Sequence, residues 1–320
     1  VTLAVRIAGV VKRFGNHTAV DDLSFEVPTG VIYGVLGPNG AGKSTTLRMM
    51  NDIIAPDAGV IELFGALPPG GAAAQRIGFL PEERGLYPKM PVGEMIAFFG
   101  ELRGLTAADA RGRARAWLER LGLGQWEKNK VQDLSKGMQQ KVQFASALIH
   151  EPELVILDEP WSGLDPINAD VLREVVHELR DAGKTVLFST HQMEQAEKIC
   201  EQICIIARGR KVLDGGLAAI KRAAAEEGRV MLGFHDEAAA RAAAPVLADA
   251  ALVVAGPVDH ALDREVQLAA GVDAQRLLVA LVGAGVALRR FDVVTPSLHD
   301  IFVERVGREQ AEVAARHDAG

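Results

Sequence analysis

The stretch Gly37-Pro38-Asn39-Gly40-Ala41-Gly42-Lys43-Ser44-Thr45 constrains this chain more than any other. It fits the pattern G-x-x-x-x-G-K-[ST], and the pattern answers a problem of charge. Phosphate oxygens that leave water need replacement donors, and backbone N–H groups serve only if the chain wraps tightly around them. Glycines 37, 40 and 42 permit that close approach. Asn39, Gly40, Ala41, Gly42 and Thr45 complete the cradle. Lys43 can reach β- and γ-phosphates, and the Ser44 hydroxyl can ligate Mg²⁺. The apolar run Val31–Leu36 reads as a buried strand before the loop, and Thr46–Met50 as a helix after it. That helix would point its positive N-terminus at the phosphates.

Composition limits the alternatives. A chain of 320 residues with 48% apolar and 24% charged residues is globular and long enough for two domains. A net charge of -7 argues against a protein built to hold nucleic acid. Cys200 and Cys204 are the two cysteines, four residues apart, and read as buried reduced thiols rather than a metal site. The run Leu277–Leu288 lacks charge but is interrupted by Gly283 and Gly285. A membrane-spanning helix needs roughly twenty apolar residues. With no leader pattern either, the expectation is a soluble protein that meets a membrane only through a partner.

Taken in order, residues 4–27 alternate and carry turn signals at Gly15-Asn16 and Asp21-Asp22, a small β region. Phe14 precedes the loop, where an exposed ring could stack on a base or simply fill the core. A strand at 60–65 follows, then one ending at Pro81, then a charged loop through Pro88. Residues 91–149 repeat apolar positions at helical spacing, for example Val92, Met95, Ile96 and Phe99, and read as a helical insertion in an α/β core. In Leu134-Ser135-Lys136-Gly137-Met138-Gln139, Ser135 is a helix N-cap candidate. Leu154-Val155-Ile156-Leu157-Asp158-Glu159 is a buried parallel strand ending in two acids, where open α/β sheets bind ligands. Asp158 suits a Mg²⁺ contact and Glu159 a base that orients water. In Lys184–His191, a strand with a histidine just past its end, His191 is placed to sense a γ-phosphate.

This order of motifs resembles the ATP-binding subunit of an ABC transporter over residues 4 to about 216. Gly37–Thr45 matches the family's phosphate loop and Leu134–Gln139 its signature motif. Leu154–Glu159 matches the acidic strand, Ser162-Gly163-Leu164-Asp165 the following loop, and His191 the switch histidine. The resemblance implies ATP and Mg²⁺ as ligands and places Phe14 under the adenine. It implies catalysis by Lys43, Glu159 and His191, with Mg²⁺ held by Ser44 and Asp158. Ser135 and Gly137 would reach the γ-phosphate of a second subunit, so a homodimer is expected. An integral-membrane permease is the expected partner, through the loop 82–91 with Leu86, Tyr87 and Met90 as apolar handholds. The subunit would then lie in the cytoplasm at the inner face of the membrane. The rival reading is a soluble ATPase of the same class that switches a non-membrane partner.

Two departures mark a subgroup resembling bacterial sodium- or drug-export ATPases. Lys136 and Met138 replace a glycine and a glutamine of the signature, and Glu82 stands at the lid-loop glutamine, where its carboxylate can reach Mg²⁺. The Lys136 cation is expected to offset Glu82 across the dimer.

The expected fold is therefore α/β: a P-loop NTPase core of ABC ATPase type over 1–216, with an antiparallel β subdomain and a helical subdomain at about 91–149. A small α+β accessory domain is expected over 217–306 and a flexible tail over 307–320. Within the accessory domain the pattern predicts strands at 229–234, 251–255, 264–269 and 286–294, and helices at 237–248 and 273–284. That β-α-β-β-α-β order is a split βαβ unit, closed by a helix capped at Ser297.

Overall fold

A long hairpin opens the chain. In this computed structural model, which describes residues 2–83, 85–226, 228–260, 262–294 and 296–306, β1 (Leu3–Phe14) and β2 (His17–Pro28) turn at Gly15-Asn16. The expected tail 307–320 lies outside these residues. Alternation decides which side of β2 faces inward: Leu23, Phe25 and Val27 are buried. Asp21-Asp22 is not a turn but lies within β2. The pairing shifts register between Val10↔Leu23 and Lys12↔Val20, and Asp22 takes φ 51. The two acids mark a bulge, which uses the same left-handed backbone as a turn.

The strand β3 (Ile32–Leu36) is buried throughout and feeds the glycine loop and then α1 (Lys43–Met50). Next, β4 (Ala58–Leu63) pairs antiparallel with β1, completing a three-stranded sheet in the order β2-β1-β4. A short α2 (Gly71–Ala74) leads to β5 (Ile77–Leu80). The helical insertion comprises α3 (Val92–Leu102), α4 (Ala107–Arg120) and α5 (Lys136–Leu148), with 3-10 turns at Gly124–Trp126 and Val131–Asp133. Thr106 caps α4 by accepting from the Asp109 N–H, and Ser135 caps α5 by accepting from the Met138 N–H at 3.3 Å.

The remaining elements of this first unit are β6 (Leu154–Asp158), α6 (Pro166–Asp181), β7 (Thr185–Thr190), α7 (Met193–Ile199), β8 (Gln202–Ala207) and β9 (Arg210–Gly216). Six strands form one sheet in the order β5-β6-β7-β3-β8-β9, parallel except for β9. Buried throughout, β3 and β6 are apolar up to Asp158, while β7 sets Val186-Leu187-Phe188 between buried Thr185 and Ser189-Thr190; each fully buried Leu or Phe contributes roughly 1.5–3 kcal/mol. Tyr33 stacks on Phe25 at 5.7 Å and donates its hydroxyl to Asp214 at 2.8 Å, so the buried phenol is not left unpaired. The carboxyl ends of β3, β6 and β7 open on one edge, which is where the site is built.

The chain divides after Gly216 into a second compact unit. It contains α8 (Leu217–Glu226), β10 (Arg229–Phe234), α9 (Glu237–Leu247), β11 (Val253–His260), β12 (Asp263–Leu268), α10 (Ala274–Gly283) and β13 (Leu288–Val294). The sheet order is β11-β12-β10-β13 with every pair antiparallel, a split βαβ arrangement. Val230, Leu232 and Phe234 pack with Ala239, Ala243, Leu277 and Leu281 in one core. The strand β11 starts later and runs further than 251–255, across Gly256-Pro257. It is an edge strand, where the N–H that proline lacks is not needed. Ser297 and Asp300 cap the last helix reciprocally: the Asp300 N–H donates to the Ser297 hydroxyl at 3.2 Å and the Ser297 N–H to the Asp300 carboxylate at 3.0 Å. Among the described residues no helix is long and apolar enough to cross a membrane.

Candidate functional site

The loop after β3 bounds a cleft of about 580 Å³. Asn39, Gly40, Ala41, Gly42, Lys43, Ser44 and Thr45 all line it, joined by Phe14, Glu82, Glu159 and His191. Gly42 is required by space as well as by backbone. It takes φ 102, and a Cβ there would fall 2.4 Å from the Ala19 carbonyl oxygen. The loop therefore runs directly against β2 and still delivers its N–H groups to the start of α1.

Lys43 is buried and donates to the carbonyls of Gly37 at 2.8 Å and Pro38 at 3.2 Å. Its Nζ lies 3.7 Å from Glu159 Oε1. Burial pushes the ammonium toward deprotonation, and the Glu159 and Asp158 carboxylates oppose that shift.

Asp158 ends β6 almost fully buried, and its Oδ1 accepts from the Ser44 hydroxyl at 3.1 Å and the Ser189 hydroxyl at 2.5 Å. A buried carboxylate needs such donors, because without them its desolvation would cost several kcal/mol. Glu159 is the next residue and takes φ 49, a left-handed conformation that a residue with a Cβ adopts at a cost on the order of 1 kcal/mol. Its N–H meets the Ser189 hydroxyl at 3.1 Å and the Ser189 carbonyl at 3.2 Å. Its Oε1 meets His191 Nδ1 at 2.9 Å, and its Oε2 accepts from the Thr190 hydroxyl at 3.3 Å. From this left-handed turn Glu159 lines the cleft.

At the other end of the cleft Phe14 is half exposed. Lys12 Nζ lies 5.5 Å from the ring centroid. Asp57 holds this end of the hairpin, accepting from the Arg13 N–H at 2.6 Å and from Lys12 Nζ at 3.0 Å. Glu82 is exposed on the loop after β5. Gln143 of α5 braces that loop, donating to the carbonyls of Pro81 at 3.0 Å and Glu83 at 3.1 Å.

Ser135 and Gly137 do not line the cleft. Ser135 is exposed at the start of α5, and Gly137 lies beside Leu164 and Asn168. Lys136 is likewise exposed. Sequence reasoning passed over Ser189 and Thr190, and also His17 and Ala19, which line the cleft together with Ser162 of the loop after the acidic strand. The signal for Ser189 was present: a hydroxyl directly after Val186-Leu187-Phe188, deep in a parallel sheet, must find a polar partner.

Residues 20–162 match the family model described as ABC transporter, and residues 215–306 match one described as ATP-binding protein DrrA1-3-like, C-terminal domain. The uncharacterized ABC transporter ATP-binding protein YhaQ of Bacillus subtilis (strain 168) is 40% identical over 298 residues, covering 93% of this chain and 97% of the relative. The Nod factor export ATP-binding protein I of Ralstonia nicotianae (strain ATCC BAA-1114 / GMI1000) is 42% identical over 216 residues, 67% of each chain. Among solved structures, an ATP-binding subunit of an ABC transporter superposes with a TM-score of 0.64 at 29% identity, over 69% of this chain and 92% of its own. With its phosphate loop, paired strand-end acids and matching relatives along nearly its whole length, the chain belongs to the ABC transporter ATP-binding proteins.

Proposed function

We propose that the chain hydrolyses ATP in this cleft and, as one of two such subunits, drives export through a separate integral-membrane permease. The observation that carries this reading is a division of labour. Lys43, Glu159 and His191 share one cleft with Asp158 directly behind it, while Ser135 and Gly137 face elsewhere. A second copy packed head to tail completes each site.

Phosphoryl transfer needs positioning and charge stabilisation more than covalent chemistry. Phe14 takes the adenine. Lys43 exchanges the Gly37 and Pro38 carbonyls for phosphate oxygens, and the loop N–H groups take the rest. Glu159 accepts a hydrogen bond from the attacking water, and His191 and Thr190 fix the carboxylate for that task. The Ser44 hydroxyl and the Asp158 carboxylate are hard oxygen donors that suit Mg²⁺, with Glu82 as a further carboxylate at the cleft wall. Held by Ser44 and Asp158, the ion would supply positive charge against the phosphates. The partner subunit contributes the first turn of α5, where an N-terminal helix dipole and free N–H groups meet the γ-phosphate.

Residues 1–216 form the ATPase part and 217–306 an accessory part. The loop 82–91 offers Leu86, Tyr87 and Met90 to a permease, which holds the subunit at the inner face of the membrane. Export follows the relative named for Nod factor export. The test is Glu159→Gln in the purified chain: ATP binding is retained, phosphate release is lost, and an ATP-dependent dimer accumulates in size-exclusion chromatography. Normal hydrolysis by this variant overturns the reading.

A further inference from the structure

We infer that Ser189, a residue of β7 outside the set that touches nucleotide, positions both strand-end carboxylates for hydrolysis. The inference rests on the reading of Asp158 and Glu159 given above. Ser189 is fully buried and pairs across the sheet with Asp158. Its hydroxyl donates to Asp158 Oδ1 at 2.5 Å and accepts from the Glu159 N–H at 3.1 Å. One side chain therefore contacts the carboxylate of one acid and the backbone of the next.

The geometry leaves the hydroxyl one orientation. A hydroxyl has a single proton. The Glu159 N–H can only donate, so it takes a lone pair of Oγ, and the proton goes to Asp158. The bond to Asp158 ties that buried carboxyl group to β7. The bond from Glu159 has a different task. Glu159 adopts φ 49, which nothing in its own side chain favours. Its N–H is held by the Ser189 hydroxyl and by the Ser189 carbonyl at 3.2 Å, so the left-handed turn is anchored to β7 at one residue. The same strand continues into Thr190 and His191, which hold the Glu159 carboxylate at its other end. Backbone and side chain of the base are thus both fixed from three successive residues, the last two of β7 and the one just past its end. Without the Ser189 hydroxyl, among the described residues Asp158 Oδ1 keeps Ser44 alone, and the Glu159 N–H keeps a carbonyl at the long end of the hydrogen-bond range.

Valine and threonine have nearly the same shape, so they separate the hydroxyl from the packing. In the full-length chain, Ser189→Val and Ser189→Ala are expected to lower kcat by about tenfold or more, the usual scale for residues that orient ligand groups through a hydrogen bond. KM and the dissociation constant for ATP, measured with and without Mg²⁺, should stay within about threefold. Ser189→Thr should restore kcat to within about threefold of the parent. Melting temperatures report folding for all three. Three results overturn the inference: Ser189→Ala turning over at the parent rate, Ser189→Thr as slow as Ser189→Val, or ATP affinity falling in step with kcat. Glu159→Gln run in parallel separates the two claims. An inactive Glu159→Gln beside an unaffected Ser189→Ala removes only this inference, whereas an active Glu159→Gln removes the reading beneath it.

Discussion

His191 Nδ1 and Glu159 Oε1 meet at 2.9 Å across the ends of β7 and β6, and they do so although 32 positions separate them in sequence. The imidazole holds one oxygen of a buried carboxylate that lines the cleft. Replacing His191 with alanine is expected to lower kcat by about 10²-fold while ATP binding is kept, because the base stays but loses its fixed direction. Single-turnover phosphate release, set against equilibrium binding of a fluorescent ATP analogue, checks this.

Phe14 is held by its neighbours rather than by the core. Its ring is half exposed, with Lys12 near one face and Asp57 anchoring both Lys12 and the Arg13 backbone. Stacking on a base is worth about 1–3 kcal/mol, so Phe14→Ala should weaken ATP binding by roughly 5- to 150-fold. Saturating kcat should change little, and Phe14→Trp should bind as the parent does. Equal affinity for Phe14→Ala would place the base elsewhere.

Asp57 makes stability depend on pH in acid. The Arg13 N–H, then Lys12, hold its carboxyl below the usual carboxylate range in the folded chain. A depressed folded-state value means that this contribution is complete above the unfolded value, about 3.9, and is lost as pH falls through the folded one. Asp57→Asn should thus be less stable than the parent at pH 7, and the gap should close below about pH 4. Urea unfolding at a series of pH values measures the gap directly.

Gly78 lies in β5 where α5 passes overhead. A Cβ there would stand 2.4 Å from the Ala147 carbonyl oxygen and 2.8 Å from Pro152. Backbone cannot yield as a side-chain tip can. Gly78→Ala should destabilise the first unit by on the order of 2 kcal/mol, read from the midpoint of denaturant unfolding.

Cys200 and Cys204 are both buried, and burial pushes both thiols well above the ordinary thiol value. The thiolate is the reactive form. Neither cysteine should react with a disulfide reagent in the folded chain at pH 8, and both should react in urea.

The parts of the site that lie together in sequence were the parts that could be read there. Gly37–Thr45 carries its own explanation, and so does a four-residue apolar strand ending in Asp158 and Glu159. Ser135 was legible as a cap because capping is local. The contact between Ser189 and Asp158 was not, since it depends on the register of two parallel strands that a pattern of buried residues leaves open. The left-handed Glu159 was equally hidden, because nothing about a glutamate before a proline announces φ 49. Asp21-Asp22 shows the opposite error: turn residues that the chain used as a bulge, keeping β2 continuous over twelve residues.

Gln143 ties the loop carrying Glu82 to α5 through two carbonyls, and α5 is a rod about 20 Å long with Ser135 at its far end. Rods transmit rotation about a pivot better than they absorb it. The Pro81–Glu83 backbone and the Ser135 cap are held to the same helix. The loop that carries Glu82 and the capped start of α5 thus share one rigid support, with the amide of Gln143 as its link.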